Sequence, residues 1–261
     1  GGSAALQLRS AGFEGALTLI GTEPHPPYER PPLSKAYLTG DLAYDSLLLR
    51  PSEFYRDQNV QLLTDTSVTS MNLVEKTVMT SDKQALRFDK LLLATGARPR
   101  QLPISGADLP GVHYLRTLGD VAALQDTMRR AQNVCLIGGG YVGLEFASVA
   151  RKAGLKVTVL EAADRLLQRV TTPEMSEYFA DLHRSHGVEV CVGARIQEIQ
   201  GADQVERVVC EHGTVTADLV LIGIGALPNV EIAEAAGLAC DNGIQVDEMC
   251  RSSHPDVFAA G

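Results

Sequence analysis

The stretch that decides the fold is NVCLIGGGYVGLEFASVARKAGLKVTVLE, Asn133 to Glu161. Its five opening residues, Asn133–Ile137, are an apolar run that predicts a buried strand. Gly138-Gly139-Gly140-Tyr141-Val142-Gly143 follows, then a stretch of helical apolar period, then Ala153-Gly154, a strand Lys156–Leu160, and Glu161. Each glycine has a stated task. Gly138 permits the tight turn out of the strand, Gly140 lets backbone approach a pyrophosphate, and Gly143 lets the helix lie close on the strand. Unpaired N–H groups at the helix start, around Tyr141 and Val142, and the positive dipole end face the phosphates. Glu161, about 20 residues further on, can accept hydrogen bonds from a ribose diol. The segment is expected to bind a dinucleotide.

The same pattern occurs twice. Gly1–Gly21 has a helical apolar period, then Ala11-Gly12, then a short strand, as Gly143–Glu161 does. A glycine after each helix suits the left-handed position that ends it. Further on, DKLLLATGARP (Asp89–Pro99) matches DLVLIGIGALP (Asp218–Pro228). Between these anchors each copy holds short strands, near 60–63, 68–73, 77–80 and 85–88 in the first and 188–192, 196–199, 207–210 and 214–217 in the second. Their spacing predicts a small antiparallel insert in each unit. The expected fold is α/β, with two tandem doubly wound, Rossmann-like three-layer units. Aligning the repeats places Gly1 on Gly143, so a matching strand and two glycines would precede residue 1. The chain is therefore expected to be cut from a longer one, with a weakened first site.

Composition narrows the classes. The chain has 261 residues, 45% of them apolar and 21% charged, with 23 basic against 32 acidic side chains and a net charge of −9. That balance argues against a general nucleic-acid binder, and no apolar run has the length a membrane-spanning helix needs. Five cysteines without a CxxC spacing fit a reducing compartment, the cytoplasm, better than a disulfide or zinc framework. Cys135 falls in a predicted core strand and reads as buried. His183 and His186, three apart on a helix that starts near Thr172-Pro173, read as solvated, and no metal site is expected.

PPYERPPLSK (Pro26–Lys35), LLLATGAR (Leu91–Arg98), LRTL (Leu115–Leu118), the glycine fingerprint and DVFAAG (Asp256–Gly261) together resemble the ferredoxin reductases of bacterial oxygenase systems. These are FAD- and NADH-dependent flavoproteins of the glutathione-reductase structural type, related to rubredoxin reductases and apoptosis-inducing factor. The resemblance implies an FAD-binding part at 1–108 with a return segment at 238–261, and an NAD-binding part at 109–237 entered through Leu115–Leu118 and a helix Asp120–Ala131. It implies hydride transfer from NADH to FAD, then one-electron transfers to a [2Fe-2S] ferredoxin. Acceptors such as rubredoxin, a quinone or oxygen, or a nucleotide-sensing interaction role, are the alternatives.

The resemblance also implies site residues. Arg30, Pro32 and Lys35 would line the flavin, with Lys35 near its N5 edge and Glu145 as its partner. Ala94, Thr95 and Gly96 would approach FAD through backbone, Arg98 would reach its phosphates, and Gly1 and Gly261 would border it. Glu23 is the candidate for the FAD ribose, since Gly21 stands at the position matching Glu161. Gly225 and Ala226 would serve NAD as Thr95–Gly96 serve FAD. Disulfide reductases of this type carry a cysteine pair after the first strand. Here that stretch is proline-rich and cysteine-free, so electrons are expected to leave the flavin directly.

Overall fold

A computed structural model describes residues 1–211 and 213–261. The chain packs as two compact units. One comprises Gly1–Glu29, Tyr44–Arg98 and Leu227–Gly261; the other comprises Arg30–Ala43 and Pro99–Ala226.

In the second unit five parallel strands form one sheet in the order Val188–Cys191, Lys156–Leu160, Asn133–Ile137, Leu219–Ile222, Val112–His113. Asn133–Ile137 is central and its last four residues are buried, as a strand covered on both faces requires. The helix Tyr141–Lys152 packs on it with Gly143, Leu144, Phe146, Ala147, Val149 and Ala150 buried, a face of helical period. Asp218 fastens the sheet's lower edge by accepting hydrogen bonds from the backbone N–H groups of Gln132 and Asn133, at 2.9 Å each. A three-stranded antiparallel insert, Ile196–Gln200, Arg207–Cys210 and Gly213–Thr216, covers one face of the sheet through Ile199, Val205 and Val208.

The first unit repeats these parts. Helix Gly2–Ser10 leads to strand Leu17–Ile20, which pairs parallel with Val60–Leu63. An antiparallel insert follows, Val68–Asn72, Thr77–Thr80 and Ala85–Arg87. Leu91–Leu93 then pairs parallel with Val257–Ala259. In the second unit, Asn133–Ile137 joins the strand after the helix to the strand after the insert. Among the described residues no strand has that place in the first unit, so its parallel strands form two separate pairs. Gly12 and Gly154 close the two helices at φ +84° and +85°, and Phe13 and Leu155 donate back to Leu8 and Ala150. Both helices thus end in the same left-handed cap.

Two sequence expectations need correction. The strands at 60–63 and 188–192 were expected within the antiparallel inserts, yet both pair parallel with the strand that follows the helix. Alternation alone does not distinguish the two pairings; the long-range partners Leu17–Ile20 and Lys156–Leu160 decide. The helix expected over 120–131 runs from Leu118 to Met128. Thr117 is its cap, accepting from the Asp120 N–H while the Asp120 carboxylate accepts from the Thr117 N–H. This reciprocal pair starts the helix two residues early.

The first unit is interrupted twice, and both interruptions are closed by hydrogen bonds. Glu29 N–H donates to the Leu47 carbonyl at 2.9 Å, where the first excursion returns. Asn229, where the second returns, donates from its backbone N–H to Gly96 and from Nδ2 to the Thr95 carbonyl, and accepts from Thr95 Oγ1 at 2.6 Å.

Candidate nucleotide site and Lys35–Glu145 pair

The glycine loop Gly138–Gly143 is built so that side chains are excluded where backbone must pass backbone. Gly138 has φ +110°, and a Cβ there would fall 2.4 Å from the Gly223 carbonyl oxygen. A Cβ on Gly143 would fall 2.4 Å from the Gly138 carbonyl oxygen, so the first turn of the helix sits directly on the turn out of the strand. Gly140 differs: it caps the helix, no side chain caps it in turn, and a Cβ there would meet nothing within 4 Å. Its bare backbone opens on free space, which is the cradle a pyrophosphate needs. Tyr141 and Val142 begin the helix and are both exposed.

Glu161 stands beside this loop. Its Oε2 accepts from the Gly139 N–H at 2.6 Å and its Oε1 from the Ala163 N–H at 2.7 Å. Each carboxylate oxygen has a second lone pair, so both retain capacity for a ribose hydroxyl. The nearest following base, Arg165, is withdrawn: it donates to Thr171 O, Gln168 O and Ser176 Oγ. Gly225, at φ +108°, accepts from Arg100 N–H through its carbonyl, and Ala226 follows it in an exposed position.

The proline-rich block supplies a second cluster. Pro31-Pro32 start a 3₁₀ turn, Pro31–Ser34, as proline's fixed φ favours at a helix start. Pro32 O accepts from Lys35 N–H at 3.0 Å, and Arg30 Nη1 donates to Arg116 O at 2.7 Å. Lys35 Nζ lies 2.7 Å from Glu145 Oε2, with the lysine 48% and the glutamate 30% exposed. Ser34, 5% exposed, donates its hydroxyl to the same oxygen at 2.5 Å. Sequence reasoning named the Lys35–Glu145 pair and missed Ser34, which shares the same carboxylate oxygen.

In the first unit, Gly1 lies where a Cβ would meet Leu19 and Ala94, and a Cβ on Gly2 would fall 2.5 Å from Pro27. The neighbours there are side chains, unlike the backbone carbonyl that faces Gly143. Glu23 accepts from Tyr28 Oη at 2.5 Å. Gly96 and Gly261 have φ +67° and +134°. Arg98 is tied to Asn229 Oδ1 at 2.8 Å and to Glu231 at 2.5 Å. Backbone hydrogen bonding at the helix start, then Arg98, hold the Glu231 carboxyl below the usual range. Asn229 is the second residue that sequence reasoning missed. Among the described residues no group of three or more His, Cys, Asp or Glu could hold a metal, and no helix is long and apolar enough to cross a membrane.

A parallel sheet with a glycine-lined turn into a helix, closed by an acid after the next strand, is the architecture of dinucleotide-binding α/β proteins. The chain belongs to the pyridine nucleotide-disulphide oxidoreductase family, whose profile matches residues 1–261. It is 45% identical over 263 residues to rhodocoxin reductase of Rhodococcus erythropolis, covering 100% of this chain and 62% of that protein. It is 45% identical over 264 residues to putidaredoxin reductase CamA of Pseudomonas putida, covering 98% of this chain and 63% of that protein. The ferredoxin reductase for the CYP199A2 system from Rhodopseudomonas palustris superposes with a TM-score of 0.95 at 43% identity, over 98% of this chain and 64% of that one. The chain thus spans less than two thirds of the length of these relatives.

Proposed function

We propose that this chain forms the nucleotide-binding part of a flavoprotein reductase that takes electrons from NADH and delivers them to a small iron–sulfur protein. The observation that carries the reading is the pairing of an open glycine cradle at Gly140, served by Glu161, with the Lys35–Glu145 ion pair in the same unit. Identity of 45% along the whole chain to rhodocoxin and putidaredoxin reductases supports it. A solved complex of putidaredoxin reductase with putidaredoxin, 42% identical to this chain, supports the class of acceptor. Identity to rubredoxin-NAD(+) reductase of Pseudomonas putida is 38%, which ranks a rubredoxin acceptor second.

On this reading residues 109–237 bind NAD(H), and residues 1–108 with 238–261 bind FAD, in the cytoplasm. Gly138–Gly143 hold the pyrophosphate of the dinucleotide, Glu161 accepts its adenosine ribose hydroxyls, and Gly225 and Ala226 border it with backbone. Gly1, Glu23, Ala94–Gly96, Arg98 and Gly261 hold FAD, together with Arg30, Pro32 and Lys35. FAD, when bound, supplies the change from two-electron to one-electron transfer. Lys35 offers a positive charge, and Glu145 and the 3₁₀ turn fix where its Nζ sits. A preorganised charge of this kind stabilises negative charge that develops during reaction without reorganising first.

The deciding assay is NADH-dependent cytochrome c reduction with and without an added [2Fe-2S] ferredoxin. Stimulation by the ferredoxin is expected. Equal rates with and without it would remove the iron–sulfur acceptor from the reading.

A further inference from the structure

The turn that follows Glu161 contains a leucine in a conformation leucine avoids. Leu167 has φ +52° and is 4% exposed. A left-handed backbone is disfavoured for residues with a Cβ and is most costly for β-branched ones. Three features hold it there. Its carbonyl accepts from the N–H groups of Val170 and Thr171, at 2.9 and 3.1 Å, closing a turn on itself. Arg165 ties the same turn together through Thr171 O, Gln168 O and Ser176 Oγ. Ser176, buried, donates to Leu166 O at 2.6 Å. The outcome of this bracing is that the Leu167 N–H points at the glycine loop and donates to the Gly139 carbonyl at 3.0 Å.

Gly139 is therefore gripped at both ends of its own residue. Glu161 takes its N–H and Leu167 supplies a donor to its carbonyl. A Cβ on it would fall 2.4 Å from Leu166 Cδ2 and 3.1 Å from Glu161 Oε2, so any side chain there would displace those two. Gly139 precedes Gly140, so the peptide between them is the one whose orientation the grip fixes. The turn 163–171 carries this donor to the loop beside Glu161.

We infer that Leu167 is a positioning residue for dinucleotide binding, acting through its left-handed backbone and its hydrogen bond to Gly139 rather than through its bulk. The inference rests on the nucleotide reading of the second unit. Packing and backbone make opposite demands at this position, so two substitutions separate them. Leu167→Gly loses the buried side chain and keeps the left-handed turn with its N–H. Leu167→Val keeps most of the side chain, but its β-branched carbon disfavours the turn.

The experiment is titration of NADH into the full chain and both variants, followed by protein fluorescence or calorimetry, with thermal unfolding measured alongside. Leu167→Gly is expected to lower Tm yet bind NADH within about threefold of the parent. Leu167→Val is expected to bind about tenfold more weakly, the effect of roughly one disfavoured backbone conformation. A Kd that follows bulk, with Leu167→Val nearer the parent than Leu167→Gly, would overturn the inference while leaving the nucleotide reading in place. A parent chain that binds no NADH would overturn both.

Discussion

Ser34 and Glu145 are 111 residues apart in the chain and 2.5 Å apart in space, hydroxyl to Oε2. Lys35 Nζ reaches the same oxygen at 2.7 Å. Two adjacent residues of the proline-rich turn thus converge on one atom of the helix Tyr141–Lys152, and they differ in burial: the serine is enclosed and the lysine half open to water.

From that difference a first prediction follows. An ion pair this exposed contributes about 1 kcal/mol or less to stability. Lys35→Ala is expected to move Tm by no more than about 4 °C. Its effect is expected in the reaction instead: NADH oxidation in a stopped-flow mixing experiment should slow about tenfold at saturating NADH, with Kd within about threefold. An unchanged rate would take Lys35 out of the mechanism.

On the proposed reading, coenzyme choice rests on Glu161. Charge-assisted hydrogen bonds to a ribose diol are worth about 1.5–3 kcal/mol each, and a 2′-phosphate would meet the carboxylate as a like charge. Arg165 is engaged elsewhere in the turn and does not offset this. NADH is expected to be preferred over NADPH by about tenfold to a hundredfold in kcat/KM. Glu161→Ala should lose most of the preference by harming NADH use. Because Glu161 also holds the Gly139 and Ala163 N–H groups, Glu161→Gln, which keeps one acceptor oxygen, should be the milder change. Steady-state kinetics with both coenzymes checks the ranking; better use of NADPH by the parent protein would contradict it.

Asp256 gives a prediction about acid. Hydrogen bonds from Lys76 and then Lys90 pull its carboxyl down from the usual 3.8 to about 2. A depressed folded-state pKa adds stability that is present above the unfolded value and lost as pH falls toward the folded one. The Tm difference between the parent and Asp256→Asn should therefore be level above about pH 5 and shrink from about pH 4 to pH 2. A difference that stays constant through that window would show that the two lysines do not act through the charge of Asp256.

The thiols should react in order of access. Cys250 is exposed and Cys135 is buried, and burial pushes the Cys135 thiol far above its usual range. Thiolate is the reactive form. Alkylation of the native protein followed by peptide mass spectrometry should label Cys250 first and leave Cys135 unmodified until denaturant is added. Early labelling of Cys135 would mean that the central strand opens under native conditions.

The sequence announced what depends on local backbone geometry. Gly138, Gly143, Gly12 and Gly154 each stand where a Cβ would collide or a left-handed turn is required, and such demands are visible in one dimension. Strand positions were equally plain: Asn133–Ile137, Lys156–Leu160, Val60–Leu63 and Thr77–Thr80 begin and end where alternation and turn residues put them. Pairing was not. Val60–Leu63 has the same alternation whether its partner is antiparallel or parallel, and the long-range partner Leu17–Ile20 decides. Nor could Ser34, Asn229 or Leu167 be singled out. The first two act through hydrogen bonds to residues far away in the chain, and Leu167 acts through a backbone angle that its side chain disfavours.

The seams at Glu29–Leu47 and Thr95–Asn229 bear on how such a chain can change. Each joins residues of the first unit across a departure of the backbone, with donors and acceptors that belong to that unit. For a flexible loop closed at such a seam, doubling the length adds only about 0.6 kcal/mol. Loop positions beside the seams are thus tolerant places for lengthening, whereas Ser34 and Lys35 inside the first departure are held by Glu145. The seam residues themselves are less tolerant: Asn229 replaced by alanine would lose the Nδ2 bond to the Thr95 carbonyl and the Oδ1 bond from Arg98, and only its backbone bonds to Gly96 and Thr95 Oγ1 would still hold the seam.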